Sequence, residues 1–544
     1  MNTDDRRRFA NAHDLALAGV FEAREADWRN GAVVYQVLVD RFAPSANLEA
    51  KRHLYPAPKQ LRGWDELPRQ GQYLDSERLW SHEIDFWGGD LASLATRLDH
   101  VQQLGADVLY LNPICLAYTN HKYDALDYHQ VSPEYGTRED VKALATALHA
   151  RGMKLVLDGV FNHMGRNAPV FQQAQAEFEA ERAGRRAAPS PERTPAGGGG
   201  GAAGGTSYLD WFVFGDEFPG GARCWWRAEN LPELNLENPA VRNHLWNDEG
   251  SVVRRWLRDG VDGWRLDVAF DIGMAYLDEL TRAAHAEKPG SLVVGEIANY
   301  PSEWFPAVDA VMHFTLRHLI LKLADGALPP STVMAMLQRM LADSDYEHLL
   351  KSWIYLDNHD TARLAHMLPD PRARRLAQVL QFTLPGAPNL YYGSEIDLPG
   401  GGDPEMRAPM RWDIVAAGHP ALDWTKRLVD MKHRLRALRV GNFRPIVSQQ
   451  LLAFERHTDR AEDMVLVLAN PSGQDVTETV LVPDAKLMDS TRFIDQTGQH
   501  DERTQGEIRA WAALLKVTVP ARTALVLTPD TRPPGGYSNY KRVQ

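Results

Sequence analysis

The sequence contains little cysteine, no long apolar run and no excess of positive charge. Its two cysteines, Cys115 and Cys224, lie far apart in a chain of 544 residues, so neither a disulfide framework nor a thiolate metal site is predicted. No apolar segment approaches the length of a transmembrane helix. The formal net charge of −12 argues against nucleic acid or an anionic membrane as the main partner.

The N-terminal segment lacks the pattern of a secretion signal. Its apolar stretch from Leu15 to Phe21 is too short for the core of a signal peptide, and no A-x-A-like cleavage site follows. We therefore expect a soluble, cytoplasmic protein. The composition is otherwise globular, with 44% hydrophobic and 24% charged residues, and the length allows two or three domains. The 15 tryptophans offer flat apolar faces that suit sugar rings.

A buried strand followed by an amphipathic helix recurs along the chain. Asp90 opens one such helix, and Thr137 with Asp140 forms the capping box of the next. We predict eight strands, each ending in polar residues, over residues 33–39, 108–111, 153–157, 263–268, 291–296, 308–313, 353–357 and 389–392. Eight such units favour an α/β fold with a closed (β/α)8 TIM barrel over a doubly wound sheet, which is the alternative.

Two regions depart from this repeat. Residues 164–235 show no clear strand–helix unit and include a Gly-rich tract from Ala187 to Gly205, which predicts an inserted subdomain with a flexible loop that restricts the cleft. After Gly441 the pattern changes to short strands, which predicts an antiparallel β-sandwich with strands over residues 451–455, 464–469, 479–482, 515–519 and 524–527. The catalytic barrel is therefore predicted over residues 1–163 and 236–440, and the inserted subdomain B over 164–235. The C-terminal sandwich is predicted over 441–530, and a loose tail over 531–544. Helices are predicted over 238–257 and 421–440 within the barrel.

Acidic residues follow two neighbouring barrel strands. Arg265 and Asp267 point to the same face of their strand, so the arginine favours an ionised, nucleophilic Asp267. Glu296 ends the next strand among apolar neighbours, which would raise its pKa toward a general-acid role. Adjacent strands lie about 4.8 Å apart, close to the separation of about 5 to 5.5 Å between the two carboxyl groups of a retaining glycosidase.

Other polar residues follow the remaining strands. Asp158 by itself is explained as a structural residue that holds the insertion, Asp360 as a helix N-cap, and His163 or His359 as an ordinary hydrogen-bonded histidine. Clusters of such residues at several strand ends together favour an active site at the carboxyl end of the barrel.

Four segments resemble the α-amylase family, glycoside hydrolase family 13. They are Asp158-Gly159-Val160-Phe161-Asn162-His163, Gly263 to Asp267, Gly295-Glu296 and Asn358-His359-Asp360, in the family's order. The resemblance covers roughly residues 30–530. Two further segments, 120–124 (Asn-His-Lys-Tyr-Asp) and 231–235 (Leu-Pro-Glu-Leu-Asn), are most similar to the branch that contains cyclomaltodextrinase, neopullulanase and α-glucosidase.

The resemblance implies roles for seven residues. It implies that Asp267 is the nucleophile, Glu296 the acid/base and Asp360 a stabiliser of the transition state. It further implies that the sugar under attack is lined by four residues, namely Tyr123, His163, Arg265 and His359, with Tyr123 stacked on the sugar ring.

The sequence also departs from the family pattern. Phe270 and Asp271 stand where many members carry a Lys-His pair, which removes a sugar contact on the leaving side and one contribution to the usual calcium site. Asn162 matches a calcium ligand, but no alternating Asp/Asn calcium loop follows Asp40. We expect that no cofactor or metal is required, with calcium left as an open alternative. The sequence shows no segment similar to the N-terminal dimerisation domain typical of the cyclomaltodextrinase branch, so we do not expect dimerisation by that route, and the oligomeric state is left open.

These observations predict a retaining glycosidase or transglycosylase that acts on α-glucosidic bonds of short malto-oligosaccharides or cyclodextrins. An α-glucosidase or α-glucosyltransferase acting on di- and trisaccharides, including α-1,6 bonds or sucrose, is the alternative. A non-catalytic sugar-binding protein on the same fold is a remote alternative, because the chain keeps all three acidic residues. The choice between hydrolysis and transfer, bond preference and chain length stays open.

Overall fold

Eight parallel strands close into a barrel in the computed structural model, which describes residues 12–184, 207–484 and 487–530. In chain order the strands are β1 Val34–Val37, β2 Val108–Leu111, β3 Lys154–Gly159, β4 Gly263–Leu266, β5 Leu292–Ile297, β6 Ala310–His313, β7 Trp353–Tyr355 and β8 Ala387–Tyr391. Neighbours follow chain order, and β1 closes the ring by pairing with β2 and β8. The predicted (β/α)8 barrel is confirmed.

Helices cover the outside of the barrel, where they bury the second face of the parallel sheet. Asp140 and Thr137 form the predicted capping box, with the backbone N–H of Thr137 donating to Asp140 Oδ2 at 2.7 Å. The principal helices are Ala12–Ala26, Leu91–Ala95, Leu98–Leu104, Arg138–His149, Val252–Arg258, Met274–Glu287, Phe314–Ala324, Pro330–Asp343, Tyr346–Lys351, Pro371–Thr383, Pro420–Arg434 and Arg436–Val440.

Two predicted helices are interrupted. The helix expected over 238–257 has a helical turn at Pro239–Arg242 and a π-turn at Asn243–Asn247, and then stops before Val252–Arg258. Its gap contains Asp248, Gly250 and Ser251; the side chains of Asp and Ser compete with helical hydrogen bonds, and Gly lacks conformational restraint. The helix expected over 421–440 breaks at Leu435, which adopts an extended conformation with φ −94° and ψ 95°.

The segment between β3 and β4 contains more regular structure than predicted. The helix Pro169–Arg182 packs through Phe171 and Ala174, and it was missed because only these few positions form its buried face. A β-bridge between His163 and Glu233 joins the two ends of this segment to each other. The Gly-rich tract lies outside the described residues. The domain boundaries proposed from the sequence stay a prediction.

The interior of the barrel changes from apolar to charged toward the carboxyl ends of the strands. Val34, Val108 and Val156 belong to an apolar cluster inside the barrel. Two residues beyond Val156 on the same face, the strand carries the fully buried Asp158. Because side chains alternate along a strand, the same inward face supplies the apolar floor and the polar site above it.

The C-terminal region forms one antiparallel sheet that curls around its own core. Three of its strands were missed by the sequence analysis because each has only four residues and a partly polar pattern; they are Asn442–Pro445, Arg492–Asp495 and Ile508–Trp511. In spatial order the strands are Asn442–Pro445, Leu452–His457, Val465–Asn470, Thr523–Pro529, Arg492–Asp495, Ile508–Trp511, Leu514–Val519 and Val476–Leu481. The predicted antiparallel C-terminal domain is confirmed, and its eight strands form one curled sheet where a β-sandwich was expected.

Two predictions concern the chain as a whole. Within the described ranges, a helix with the length and apolarity needed to cross a bilayer is absent. The predicted loose tail over 531–544 lies outside those ranges. The cytoplasmic location stays a prediction.

Candidate active site

Three neighbouring strands bring the predicted acidic residues and the arginine together. Arg265 on β4 lies opposite Asp158 on β3 and opposite Val294 on β5. Two residues further along their strands, Asp267 and Glu296 follow at the carboxyl end of the barrel. The prediction that Asp267 and Glu296 come from adjacent strands is confirmed.

Arg265 is the centre of a charged cluster, which we define as Asp158, Arg265, Asp267 and Glu296. Its Nη1 lies 2.9 Å from Asp158 Oδ1 and 3.1 Å from Asp267 Oδ1, and its Nη2 lies 2.8 Å from Glu296 Oε2. The guanidinium is fully buried. One cation therefore contacts three carboxyl groups, so it cannot neutralise all of them when they are ionised.

The pKa of Asp267 is raised well above its usual value. Burial is the main cause, and the negative charges of Glu296, Asp158 and Asp360 raise this pKa further, while Arg265 lowers it. Arg265 favours the ionised form of Asp267, as expected, but burial and the neighbouring carboxyl groups outweigh its effect on the pKa. The charged cluster therefore retains a proton more readily than isolated carboxyl groups would.

The surroundings of Glu296 differ from those that its sequence neighbours suggested. Val293 and Ile297 point outward into the core under the helices, because side chains alternate along β5. Besides the Arg265 contact, the Glu296 carboxylate accepts a hydrogen bond from Val268 N at 3.0 Å. Of the three apolar neighbours, Val294 alone shares the inward face of Glu296, so the predicted apolar setting is present only in part, and polar contacts fix the position of Glu296.

Val268 directly follows Asp267 and adopts a left-handed backbone conformation, with φ 39° and ψ 46°. This region is unfavourable for a β-branched residue. The conformation directs the Val268 N–H to the Glu296 carboxylate. Backbone strain of this kind persists where the surrounding structure enforces it, and here it links the two candidate catalytic residues.

Asp158 positions other members of the site. It accepts hydrogen bonds from Tyr110, from Tyr123 Oη at 2.9 Å and from Arg265. Its contacts run to β2, to the loop after β2 and to β4, so the suggestion that it holds the inserted segment is wrong. The Asp158 carboxylate is fully buried, and these hydrogen-bond donors supply the partners that a buried charge requires.

Tyr123 and His359 form a stacked pair, with ring centroids 5.3 Å apart and planes 6° from parallel. Burial lowers the pKa of His359 well below its usual value, so the ring is neutral. Gln36 Nε2 lies 2.9 Å from His359 Nδ1 and donates to it, which leaves the ring hydrogen on Nε2. That nitrogen faces Tyr123 Oη at 2.6 Å and Asp360 Oδ2 at 3.0 Å.

Asp360 is half-exposed at the mouth of the site. Arg407 Nη2 lies 3.4 Å from Asp360 Oδ1, and Arg407 Nε donates to His359 O at 2.8 Å. Asp360 is not the N-cap of the helix that follows, because that helix begins after Arg363. Sequence reasoning missed Arg407, which lies on the chain segment after β8 and carries no local motif.

His163 lies beside the nucleophile candidate, with Nε2 4.0 Å from Asp267 Oδ2. Burial lowers the pKa of His163 to about 4, so the ring is neutral. Trp225 stacks on it, with ring centroids 5.6 Å apart, and donates its Nε1–H to Asp271 Oδ2 at 3.0 Å. Sequence reasoning also missed Trp225, whose signal is its position within a Trp-Trp pair shortly before the Leu231–Asn235 segment.

The residues do not fit a metal ion well. The Asn162 amide lies 3.5 Å from His163 Nδ1, and no group of three or more His, Cys, Asp or Glu side chains within the described ranges is arranged to hold a metal. We therefore derive no step through calcium. The expectation that no cofactor is required stays a prediction.

A (β/α)8 barrel with a close pair of carboxyl-bearing strand ends and a shared arginine has the residues that a glycoside hydrolase needs. Residues 36–442 match the family model for the catalytic domain of alpha amylase. The chain belongs to the α-amylase family, and it is a glycosidase of that family. The resemblance found in the sequence is confirmed.

Similar proteins come from the same branch. The chain is 30% identical over 503 residues to Neopullulanase 2 of Thermoactinomyces vulgaris, covering 89% of this chain and 76% of that protein. It is 31% identical to a cyclomaltodextrinase of Bacillus sp, covering 81% and 73% of the two chains. Among solved structures, the cyclic alpha-maltosyl-(1→6)-maltose hydrolase of Arthrobacter globiformis matches with a TM-score of 0.73 and 28% identity, over 92% of this chain and all of that one.

Proposed function

We propose that this protein is a retaining glycosidase that cleaves α-glucosidic bonds of short malto-oligosaccharides or cyclodextrins by double displacement. Asp267 is the nucleophile, Glu296 the general acid/base, and Asp360 the stabiliser of the transition state. Tyr123, His163, Arg265 and His359 surround the sugar under attack.

The placement of Asp267 and Glu296 carries this proposal. They stand at neighbouring strand ends and share Arg265, and Val268 N–H fixes Glu296 from the residue next to the nucleophile. This arrangement matches the close pair of a retaining enzyme, whereas an inverting enzyme leaves room for a water between its carboxyl groups. Both acids contact the single cation Arg265, which suits a pair in which one member must be charged and the other protonated.

In the first step an Asp267 oxygen attacks the anomeric carbon of the bound sugar. The bond from that carbon to the glycosidic oxygen breaks, and the Glu296 proton moves to that oxygen, so the leaving sugar departs as an alcohol. Arg265 interacts more strongly with Glu296 as that residue becomes ionised. The neutral His163 and His359 rings offer hydrogen-bond contacts to sugar hydroxyls without adding charge.

In the second step a water replaces the leaving sugar. Glu296 takes a proton from the water, the water oxygen bonds to the anomeric carbon, and the bond to Asp267 breaks, which restores the enzyme. If a sugar hydroxyl attacks instead of water, the same step is transglycosylation. The ratio of hydrolysis to transglycosylation depends on how strongly the part of the site that held the leaving sugar binds another sugar rather than water.

The substrate class is proposed from two sources. The similar proteins are named neopullulanase, cyclomaltodextrinase and a hydrolase of a cyclic maltosyl-maltose. The site itself supplies aromatic faces and charge-paired acids that suit glucosyl rings. Tyr123 and Trp225 are among these aromatic residues, and each stacks on a buried histidine of the site.

The stereochemical course tests the mechanism. We expect the first product of maltotriose cleavage, followed by proton NMR before mutarotation, to have the α configuration. A mechanism-based α-glucosyl label should attach to Asp267, as identified by peptide mass mapping. A β product, or a label on another residue, would refute the double-displacement proposal.

A further inference from the structure

Lys122, the residue before Tyr123, has a fully buried side chain that ends in an ion pair. Its Nζ contacts the carboxylate of Glu134, which is also buried and lies on the turn before the helix Arg138–His149. Burial raises the pKa of Glu134, but Lys122 and Lys59 lower it by more, so this pKa lies below its usual value and the carboxylate is ionised. Because a buried ion pair is a weak source of stability, its presence here calls for another reason.

The backbone of Lys122 is also unusual. It has φ 65°, in the left-handed region that favours glycine. The Lys122 N–H donates to Thr119 Oγ1 at 3.3 Å, which closes a turn within this segment. Backbone strain of this kind persists where the surrounding structure enforces it, and it concentrates beside active sites. The chain therefore carries strain at the residue that directly precedes Tyr123.

The surroundings of the Lys122 ammonium group hold it in one place. Its Nζ lies 5.1 Å from the centroid of the Phe86 ring and 5.0 Å from that of the Tyr135 ring, and aromatic faces attract cations. Tyr135 follows Glu134 and donates its hydroxyl hydrogen to Asn120 O at 3.0 Å. The turn around Glu134 thus holds the chain before Tyr123 at two points.

Tyr123 needs accurate placement because its hydroxyl contacts three groups of the site. Its Oη lies 2.9 Å from Asp158 Oδ2, 2.6 Å from His359 Nε2 and 3.0 Å from Asn112 Nδ2. Residues 118–124 form the loop between the strands Cys115–Ala117 and Ala125–Val131, so a regular backbone ladder does not fix Tyr123. A shift of about 1 Å in a positioned group can lower a rate on the order of 100-fold.

We infer that Lys122 is a positioning residue for the proposed reaction, because its buried ion pair with Glu134 fixes the turn that places Tyr123 in the site. This inference rests on the proposed function and deepens it. Lys122 does not touch the sugar and acts through Tyr123, whose hydroxyl it brings to Asp158 and His359.

The test asks whether Lys122 acts through Tyr123. Lys122→Met keeps a long side chain and removes the charge, and circular dichroism checks the fold. We expect kcat/KM to fall about tenfold on both α-glucosyl fluoride and maltotriose, the loss expected when the hydrogen bonds of Tyr123 are weakened. In a Tyr123→Ala background the side chain to be positioned is absent, so the same substitution should change kcat/KM by less than about twofold.

Lys59→Met is the matched control. Lys59 Nζ lies 4.0 Å from the same Glu134 carboxylate and 5.0 Å from the centroid of the Phe86 ring, but Lys59 is distant from Tyr123 along the chain. This variant should keep kcat/KM close to the wild-type value. If Lys122→Met does not fold, Lys122→Met combined with Glu134→Gln takes its place, because it leaves no buried carboxylate without its cation, and the same losses are expected.

Three outcomes would overturn the inference. The first is wild-type kcat/KM in a folded Lys122 variant. The second is a loss that persists undiminished in the Tyr123→Ala background, because Lys122 would then act through another group. The third is an equal loss in Lys59→Met, which would indicate a general effect of charge near Glu134. A wild-type protein that cleaves neither substrate would instead refute the proposed function itself.

Discussion

The charged cluster and a pair of exposed aromatic side chains, Trp226 and Phe270, which we call the aromatic rim, are built in opposite ways. Arg265 in the cluster is fully buried and has carboxylate partners on three sides. Trp226 in the rim is mostly exposed, and its aromatic neighbour within the described ranges is Trp225. In the cluster each group is fixed by others, so any change spreads. In the rim the two side chains contact different aromatic partners, Trp225 and Trp304, so a change in one leaves the contacts of the other in place.

The comparison teaches where stability and selectivity reside. Buried, mutually dependent charges place the reacting atoms and control their protonation. Such a network is sensitive to the loss of any one of its charged side chains. Exposed aromatic faces add affinity for particular ligands with little effect on the fold. We therefore expect substitutions in the two regions to separate chemistry and stability from substrate preference.

The largest effect is expected from the two acids. Asp267→Asn and Glu296→Gln should each lower kcat on maltotriose on the order of 10⁴-fold, because each removes a bond-making or proton-transferring group. Steady-state assays measure the loss, and circular dichroism checks the fold. With α-glucosyl fluoride, which depends less on an acid, Glu296→Gln should accumulate a glucosyl-enzyme detectable by mass spectrometry, whereas Asp267→Asn should not. Wild-type turnover in either variant would contradict the assignment.

A large loss of stability is expected for Arg265→Met. The variant leaves buried carboxyl groups without their cation, which typically costs about 3 to 5 kcal/mol of unfolding free energy. The pKa values of these carboxyl groups would then be higher in the folded state than in the unfolded state. The free energy of unfolding of the variant therefore falls as the pH rises through the folded-state pKa values. Urea unfolding should therefore show a larger deficit at pH 7 than at pH 5.

Arg436→Met provides a matched control for that experiment. Arg436 also contacts three carboxyl groups, those of Glu25, Asp459 and Asp463, but 12% of its own side chain and 42% of that of Glu25 remain exposed to solvent. Solvent stabilises these charges when the arginine is removed, so a smaller and less pH-dependent change is expected than for the fully buried Arg265. Equal losses in the two variants would show that burial does not distinguish these arginines.

An intermediate effect is expected for Tyr123→Phe. The substitution keeps the ring that stacks on His359 and removes a hydroxyl that contacts Asp158, His359 and Asn112. Loss of hydrogen bonds to charged or buried partners costs roughly 1 to 3 kcal/mol, so kcat/KM should fall about tenfold or more on both maltotriose and α-glucosyl fluoride. A loss confined to maltotriose would place Tyr123 with the aromatic rim instead.

The smallest effect on stability is expected for Trp226→Gly. Glycine relieves a left-handed strain of about 1 to 2 kcal/mol but adds about 0.5 to 1 kcal/mol of unfolded-state entropy. The free energy of unfolding, measured in urea, should therefore change by less than about 1 kcal/mol. Val268→Gly relieves a similar backbone strain, but it also loosens the N–H that donates to the Glu296 carboxylate, so this variant should have a lower kcat. Destabilisation by several kcal/mol in Trp226→Gly would mean that Trp226 supports the fold.

The sequence predicted the barrel, the neighbouring positions of Asp267 and Glu296, and the C-terminal β-domain. These features follow from local periodicity and from the rule that sequential parallel strands pair in order, so residues two apart on β4 must face the same interior. Helix ends and short strands were less predictable. Residues 248–251 and the strand Arg492–Asp495 have weak local patterns, and packing decided them.

Only the tertiary structure decided how the charges are shared. Asp158, Arg265 and Glu296 lie on three strands that are distant along the chain, so the number of carboxyl groups around one guanidinium is not a local property. Burial then raises the pKa of Asp267 in a way that the nearby arginine alone did not suggest. The contacts of Arg407 with Asp360 and of Trp225 with His163 likewise arise between separate segments. The alternation of side chains along a strand can be read from consecutive residues. The electrostatic free energy of a side chain depends on every charge within a few ångströms, whatever its position in the chain.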